Sequence, residues 1–324
     1  MNRGALLAFG FLIVIPAVVL LCVVIGGTNI SLFNISDTDR TIILYVRLPR
    51  ILTALMVGAG LAACGCVLQA ILRNPLADPY TLGISGGAAV GVTALLAVGP
   101  VARLINLTGS FGMPLVAFSG ALAAVGLVFL IASKQRFSVH GLILSGVILS
   151  FIFSSIVLLI FAVAKPTEIQ SAMFWLMGNL ANVNYPLMLI IGPLILTGII
   201  IAFILAKDMD VMTLGDEKAI HLGVSPQTTR RTLFIVTSLI TGACVAVSGI
   251  IGFVGLMIPH IMRMIVGPSH RTLLINSVLA GALFLLVTDT IARTIISPSE
   301  LPVGVITGII GGVFFIGLLM RKTI

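Results

Sequence analysis

Of the 324 residues, 59% are hydrophobic and only 9% are charged, and the mean hydropathy is +1.25. A soluble domain carries about one-quarter charged residues, so lipid replaces water as the main solvent, and the composition excludes a sizeable soluble domain. The net charge of +8 does not indicate nucleic acid, because Lys and Arg stand scattered at the ends of apolar runs as topology signals do.

The runs are long and continuous, which predicts helices rather than the short alternating strands of a barrel. In chain order, the predicted spans are 5–26, 51–72, 81–98, 111–133, 141–164, 185–206, 232–251, a short glycine-rich 252–266, 272–296 and 302–320. The fold class is therefore all-α integral membrane, a single domain over 1–324 with about ten transmembrane helices. The first run is too long for a signal-peptide core and has no small-residue cleavage site after it, so it reads as a span. With the N-terminus inside, 12 of the 18 Lys and Arg are cytoplasmic, Arg321 and Lys322 among them. The other six, Arg40, Arg47, Arg50, Arg103, Lys165 and Arg293, are outside. This imbalance predicts both termini in the cytoplasm.

Small-residue stretches such as Gly58-Ala59-Gly60 and Gly83-Ile84-Ser85-Gly86-Gly87 favour close helix packing in lipid. The four cysteines all lie in apolar runs with no His or acid beside them as a metal shell, so packing is their expected role and no metal site is predicted. Gln69, Asn74 and Asp78 stand beside Pro75 and Pro79, where polar side chains can satisfy backbone groups freed by proline. Asp289 is the clearest charge inside a span, and Arg293 at i+4 is its expected partner.

The longest polar interruption, 207–231, contains a short amphipathic helix. Leu214, Ala219, Ile220 and Leu222 are its apolar residues, and Asp216, Glu217 and Lys218 are polar. Gly223 fits a C′ position, and Pro226 stops the helix. A short exposed helix of this kind is a docking element. There is no G-x-x-x-x-G-K-[ST] loop and no Gly-Lys pair at all, so energy from ATP must come from another polypeptide.

Several stretches carry a family resemblance. They are Arg47-Leu48-Pro49-Arg50, then Gln69 with Arg73-Asn74-Pro75-Leu76-Ala77-Asp78-Pro79 and Leu82-Gly83, and Gly215-Asp216-Glu217 with Ala219, Leu222, Gly223 and Val224. Gly252-Phe253-Val254-Gly255-Leu256 with Pro259-His260 and Arg263, and Glu300-Leu301-Pro302-Val303-Gly304, complete the set. In this order, the chain resembles the FecCD/BtuC-type permeases of binding-protein-dependent ABC importers for iron-siderophores, haem and vitamin B12. The resemblance implies a type II ABC importer permease bundle in the bacterial inner membrane. It also implies a second copy of the permease, or a paralogue, as partner, with two ATPase subunits inside and a periplasmic or lipid-anchored binding protein outside. The permease itself would carry no cofactor, ATP and Mg being held by the ATPase, and no catalytic residue.

The resemblance further implies residue roles. Leu214, Gly215, Asp216, Glu217, Ala219, Leu222 and Gly223 would couple to the ATPase, with Ala219 on the side that enters its groove. Arg47, Arg50 and Arg293 would dock acidic residues of the binding protein. Ser138, Val139 and His140 align with the cytoplasmic gate, His140 standing where a smaller polar residue is expected. Beyond them Gly146, Ser150 and Ser154, at i, i+4 and i+8, form a small stripe that fits either a translocation-path wall or close packing. Iron chelates rank first as cargo, ahead of cobalamin and haem. A secondary transporter driven by an ion gradient is the alternative, and it would need more intramembrane acids or histidines than Asp289.

Overall fold

In lipid each backbone amide must find its partner within the protein, and the apolar runs accordingly form helices. The structure is a computed structural model that describes residues 3–26, 36–97, 109–181, 183–296 and 299–320. Arg103, Arg321, Lys322 and Val98, which enter the sequence-based reading, lie outside the described residues. The α-helices among them are α1 (Arg3–Val24), α2 (Asp37–Ile42), α3 (Leu48–Ile71), α4 (Ile84–Ala97), α5 (Gly112–Lys134), α6 (Val139–Val163) and α7 (Pro166–Leu176). They continue with α8 (Tyr185–Ile204), α9 (Ala206–Met212), α10 (Asp216–His221), α11 (Pro226–Ser248), α12 (Val254–Val266), α13 (His270–Thr294) and α14 (Val303–Met320). Eight are long and apolar enough to cross a membrane, and α4 and α12 are shorter apolar helices. Together these account for the ten predicted spans.

The centre of the bundle is α3. Nineteen of its 24 residues are buried, so it is enclosed on all sides, as expected of a helix with no polar face. Around it pack α13, α11, α12 and α8, while α4 packs on α5 and α6, and α1 lies against α13. By contrast α1, α6, α8 and α14 bury only a minority of their residues and each exposes a row of large apolar side chains, the pattern of surfaces solvated by lipid.

Glycine sets the closest approaches to α3. A methyl group on Gly65 would fall 1.7 Å from the Gly255 carbonyl oxygen, and one on Gly58 would fall 2.2 Å from that of Gly281. Backbone therefore meets backbone at both crossings, which only a missing side chain permits.

At 14 and 13 residues, α4 and α12 span roughly 20 Å at 1.5 Å per residue, short of the about 30 Å hydrocarbon core. Non-helical chain thus enters the bundle interior beside each. Between α11 and α12, Ile251 is fully buried, and Tyr80 satisfies its backbone. The Tyr80 hydroxyl donates to the Ile251 carbonyl at 2.9 Å and accepts from the Ile251 N–H at 3.1 Å. The sequence reading did not anticipate this role for Tyr80.

Candidate functional site

Residues that could carry function gather at two ends of the bundle. At the first, the polar interruption folds into α9 and α10, and α10 ends as the sequence implied. Gly223 sits at C′ with φ +82°, its N–H donates to the Ile220 carbonyl at 3.0 Å, and the Val224 N–H donates to that of Ala219 at 2.9 Å. This is the paired bonding that closes a helix on a left-handed glycine.

The exposed face of this segment is apolar. Leu214, Ile220 and Leu222 are 55%, 62% and 60% exposed. Ala219, expected on the outward side, is instead fully buried against the chain itself. The i,i+1 separation of Ala219 and Ile220 puts them on different faces of one short helix, so the two could not share one role.

The polar face of α10 is tied down. The Asp216 carboxylate accepts from Arg73 Nη2 and, at 3.0 Å, from Arg230 Nη2. Burial opposes the charge of Asp216, yet the Arg230 and Arg73 guanidiniums outweigh it and hold the carboxyl below its ordinary range. Arg73 Nε also donates to the Met212 carbonyl at 3.1 Å. Arg230, only 2% exposed, donates through Nε to the Ile71 carbonyl at 3.3 Å and through Nη1 to the Phe137 carbonyl at 3.1 Å. It thus joins α10, the end of α3 and the turn before α6. Arg230 entered the sequence reading only as a cytoplasmic positive charge.

At the adjacent turn, Ser138 caps α6, its hydroxyl oxygen accepting from the Gly141 N–H at 3.1 Å. Val139 is half-buried and His140 is exposed. The stripe beyond divides. Gly146 is a packing position, since a methyl there would fall 2.4 Å from the Thr81 carbonyl oxygen. Ser150 donates to the Gly146 carbonyl at 2.7 Å, and Ser154 is exposed. The path-wall reading of the stripe is corrected at Gly146, which is buried beneath the Thr81–Leu82 backbone.

A cavity of about 570 Å³ opens at this end, lined by Gln69, Arg73, Asp210, Arg263, Ser269 and His270 among others. Gln69 Nε2 reaches the Leu256 carbonyl at 3.2 Å, Asn74 Oδ1 accepts from the Leu76 N–H, and Asp78 Oδ1 accepts from the Tyr80 N–H. Asn74 and Asp78 serve the backbone beside Pro75 and Pro79, as their sequence context implied, whereas Gln69 reaches across to α12 instead.

At the opposite end, the expected Asp289–Arg293 pair is present but secondary. The Asp289 carboxylate is fully buried, and its principal partner is Arg50, which donates through Nε at 3.0 Å to each carboxylate oxygen and through Nη2 at 2.9 Å. Arg50 Nη1 also donates to Glu300 at 2.7 Å. Arg293 Nε stands 4.0 Å from Asp289, while its Nη2 donates to the Cys22 carbonyl at 2.8 Å. Arg47 donates to the Val23 and Val24 carbonyls at 2.5 and 2.8 Å. The three arginines expected on an outer docking face are 4%, 6% and 4% exposed for Arg47, Arg50 and Arg293. The physical reason is local demand: the last carbonyls of α1 lack intrahelical donors, and a buried carboxylate requires a counter-charge. Near this end Phe174 and Trp175, with Ser110, Met113 and Asn179, line a second cavity of about 550 Å³. Among the described residues, no group of three or more His, Cys, Asp and Glu is placed to hold a metal ion.

The same arrangement of helices and interior breaks recurs in known proteins. Residues 12–321 match the family model described as the FecCD transport family. The chain belongs to the FecCD transport family. A curated relative, the hemin transport system permease protein HmuU of Yersinia pestis, is 36% identical over 98% of this chain and 96% of its own. The cobalamin import system permease protein BtuC of Halobacterium salinarum is 39% identical over 90% of this chain and 77% of its own. A solved inward-facing conformation of an ABC transporter assigned to the metal-chelate type superposes with a TM-score of 0.87, at 35% identity, over 98% of this chain and 99% of that one. This FecCD chain is thus a permease subunit of an ABC importer, a transport component whose ATPase is a separate subunit.

Proposed function

We propose that the chain is the conduit of a binding-protein-dependent importer that moves a bulky metal chelate across the bacterial inner membrane, an iron chelate first and haem or cobalamin after it. The relatives' names supply the cargo class, and the rank among them follows the sequence reading. Two copies, or this chain and a paralogue, enclose the path within membrane lipid. Two ATPase subunits that hold ATP and Mg sit inside with both chain termini, and a periplasmic or lipid-anchored binding protein sits outside.

The observation that carries the proposal is the exposed apolar set Leu214, Ile220 and Leu222 on a segment whose polar face is fixed by Asp216, Arg73 and Arg230. An apolar helix face held rigidly in the aqueous phase is suited to insertion into a partner's groove. In the docked assembly Leu214, Gly215, Asp216, Glu217, Leu222 and Gly223 form or shape the ATPase-facing segment, and Ala219 seats it on the permease. The turn Ser138, Val139 and His140 acts as the cytoplasmic gate, with the exposed His140 as its projecting group. Ser150 and Ser154 remain path-wall residues in this reading. At the outer end, Arg47, Arg50 and Arg293 fix the surface on which the binding protein sits. The Arg50–Glu300 pair is the part of that network nearest solvent, Glu300 being exposed.

Uptake into proteoliposomes containing the permease, its cognate ATPase and its cognate binding protein tests the proposal, compared across an iron-siderophore, haem and cobalamin. ATP-dependent accumulation of one of them is expected. Uptake that proceeds without the ATPase and follows an imposed ion gradient would instead establish a secondary transporter.

A further inference from the structure

Arg230 occupies a position that the docking and gating roles do not account for separately. Its guanidinium is buried and its bonds go to three different segments: the Asp216 carboxylate at the start of α10, the Ile71 carbonyl at the end of α3, and the Phe137 carbonyl in the turn before α6. Phe137 immediately precedes Ser138, the residue that caps α6.

The turn is stiff. Arg136 and Phe137 both have φ +52°, and the Phe137 ring is buried between Phe129 and Phe234, with centroids at 5.1 and 6.3 Å. A shift of the Phe137 backbone therefore moves the start of α6 as a unit. The other end of the tie is different, because the Asp216 side chain is half exposed and shared with Arg73. One end of the guanidinium thus holds a surface helix, and the other holds a rigid turn.

Resting on the functional reading above, we infer that Arg230 is a positioning residue that links the ATPase-docking helix α10 to the gate turn at 137–140, so that displacement of one is passed to the other. Only an arginine fork supplies enough directed donors for three acceptors on separate segments, and a lysine, a flexible point charge, cannot bridge them. The neighbouring Arg231 shows the contrast: one residue on, its guanidinium lies over the Phe129 ring at 5.1 Å.

The test uses the assembled complex of permease, cognate ATPase and binding protein, comparing wild type with Arg230→Lys. Two quantities are read: the change in amide hydrogen exchange at residues 135–141 when the ATPase and a non-hydrolysable ATP analogue are added, and the ATP hydrolysed per substrate imported. In wild type the exchange at 135–141 should respond to ATPase and nucleotide. In Arg230→Lys, ATPase binding should persist while that response is lost and the ATP consumed per substrate rises several-fold. A variant with a wild-type response and a wild-type ratio would overturn the inference and leave the functional reading standing. A wild-type permease that binds no ATPase would overturn both. Where Arg230→Lys does not assemble, Arg230→Gln, whose amide offers two donors to the three acceptors, is read in its place with the same expected and overturning results. Exchange at 135–141 that does not respond to ATPase and nucleotide in wild type would overturn the inference in either case.

Discussion

Arg50 and Asp289, 239 residues apart, form a fork-on-fork pair in which Nε and Nη2 of one side chain meet both carboxylate oxygens of the other. The pair pins the start of α3 to the end of α13. Removing one partner of a buried ion pair leaves an uncompensated charge, at a cost of roughly 3–5 kcal/mol, whereas replacing both by apolar groups is often near neutral. Asp289→Ala is therefore expected to lower the thermal stability of the detergent-solubilised permease sharply, and Arg50→Met with Asp289→Leu to restore most of it. Equal melting of Asp289→Ala and wild type would show that the pair does not hold this end together.

Close backbone contact makes a second, independent demand on the same helix. A methyl on Gly65 has no room before the Gly255 carbonyl, whereas Gly10 on the lipid-facing α1 has nothing within 4 Å of the equivalent position. Overpacking a well-packed interior costs about 1–3 kcal/mol and occasionally more, and here the obstacle is backbone that cannot rotate away. Gly65→Ala should reduce folded yield and thermal stability, while Gly10→Ala should leave both unchanged. A Gly65→Ala protein as stable as Gly10→Ala would mean that α12 can step back from α3 at little cost.

The ten spans were legible because each is a continuous apolar run, eight of them long and two shorter, and that signal survives whatever the helices pack against. The end of α10 at Gly223 was legible for a similar reason, since helix termination is local chemistry. Pairings between distant segments were not. The i,i+4 rule offers Asp289 only Arg293, and nothing along the chain reports that Arg50 stands closer. Likewise Arg230 and Arg231 are adjacent and identical in type, and only the packed structure shows that one joins three segments while the other lies on an aromatic ring. Gly146, Ser150 and Ser154 share one helical face, but which of them another segment covers is decided by the turn at Thr81 and Leu82.

The depressed carboxyl of Asp216 gives α10 a pH dependence with a definite sign. Because its folded-state pKa lies below the unfolded value, its contribution is fully present above the unfolded pKa of about 4. It is lost as pH falls through the lower folded value. Limited proteolysis by pepsin can follow this directly, since the enzyme works in acid and Leu214 and Leu222 are exposed cleavage sites. Cleavage within 214–224 should accelerate below about pH 4 in wild type. In Asp216→Asn, which has no carboxylate to protonate, it should already be fast at the upper end of that range and change less. Parallel pH profiles for the two proteins would separate Asp216 from the stability of α10.

The apolar face and the buried face of α10 predict opposite kinds of mutant. Leu222→Asp alters a side chain that is 60% exposed, so the isolated permease should melt as wild type. Its affinity for the ATPase should fall, by about 30-fold if Leu222 is an interface anchor worth about 2 kcal/mol. Ala219→Leu acts on a fully buried position and should destabilise the permease alone, with loss of ATPase binding only as a consequence. Gly223→Val is a third case. It meets no neighbour within 4 Å, but it forces a β-branched residue into φ +82°, a conformation that costs roughly 1–2 kcal/mol for an L-residue. The expected result is a permease that still binds the ATPase while hydrolysis is no longer stimulated by substrate, because the end of α10 is no longer set. Binding titrations and substrate-stimulated hydrolysis, measured on the three variants side by side, distinguish these outcomes. Full substrate stimulation in Gly223→Val, or unchanged binding in Leu222→Asp, would remove α10 from the energy-coupling interface.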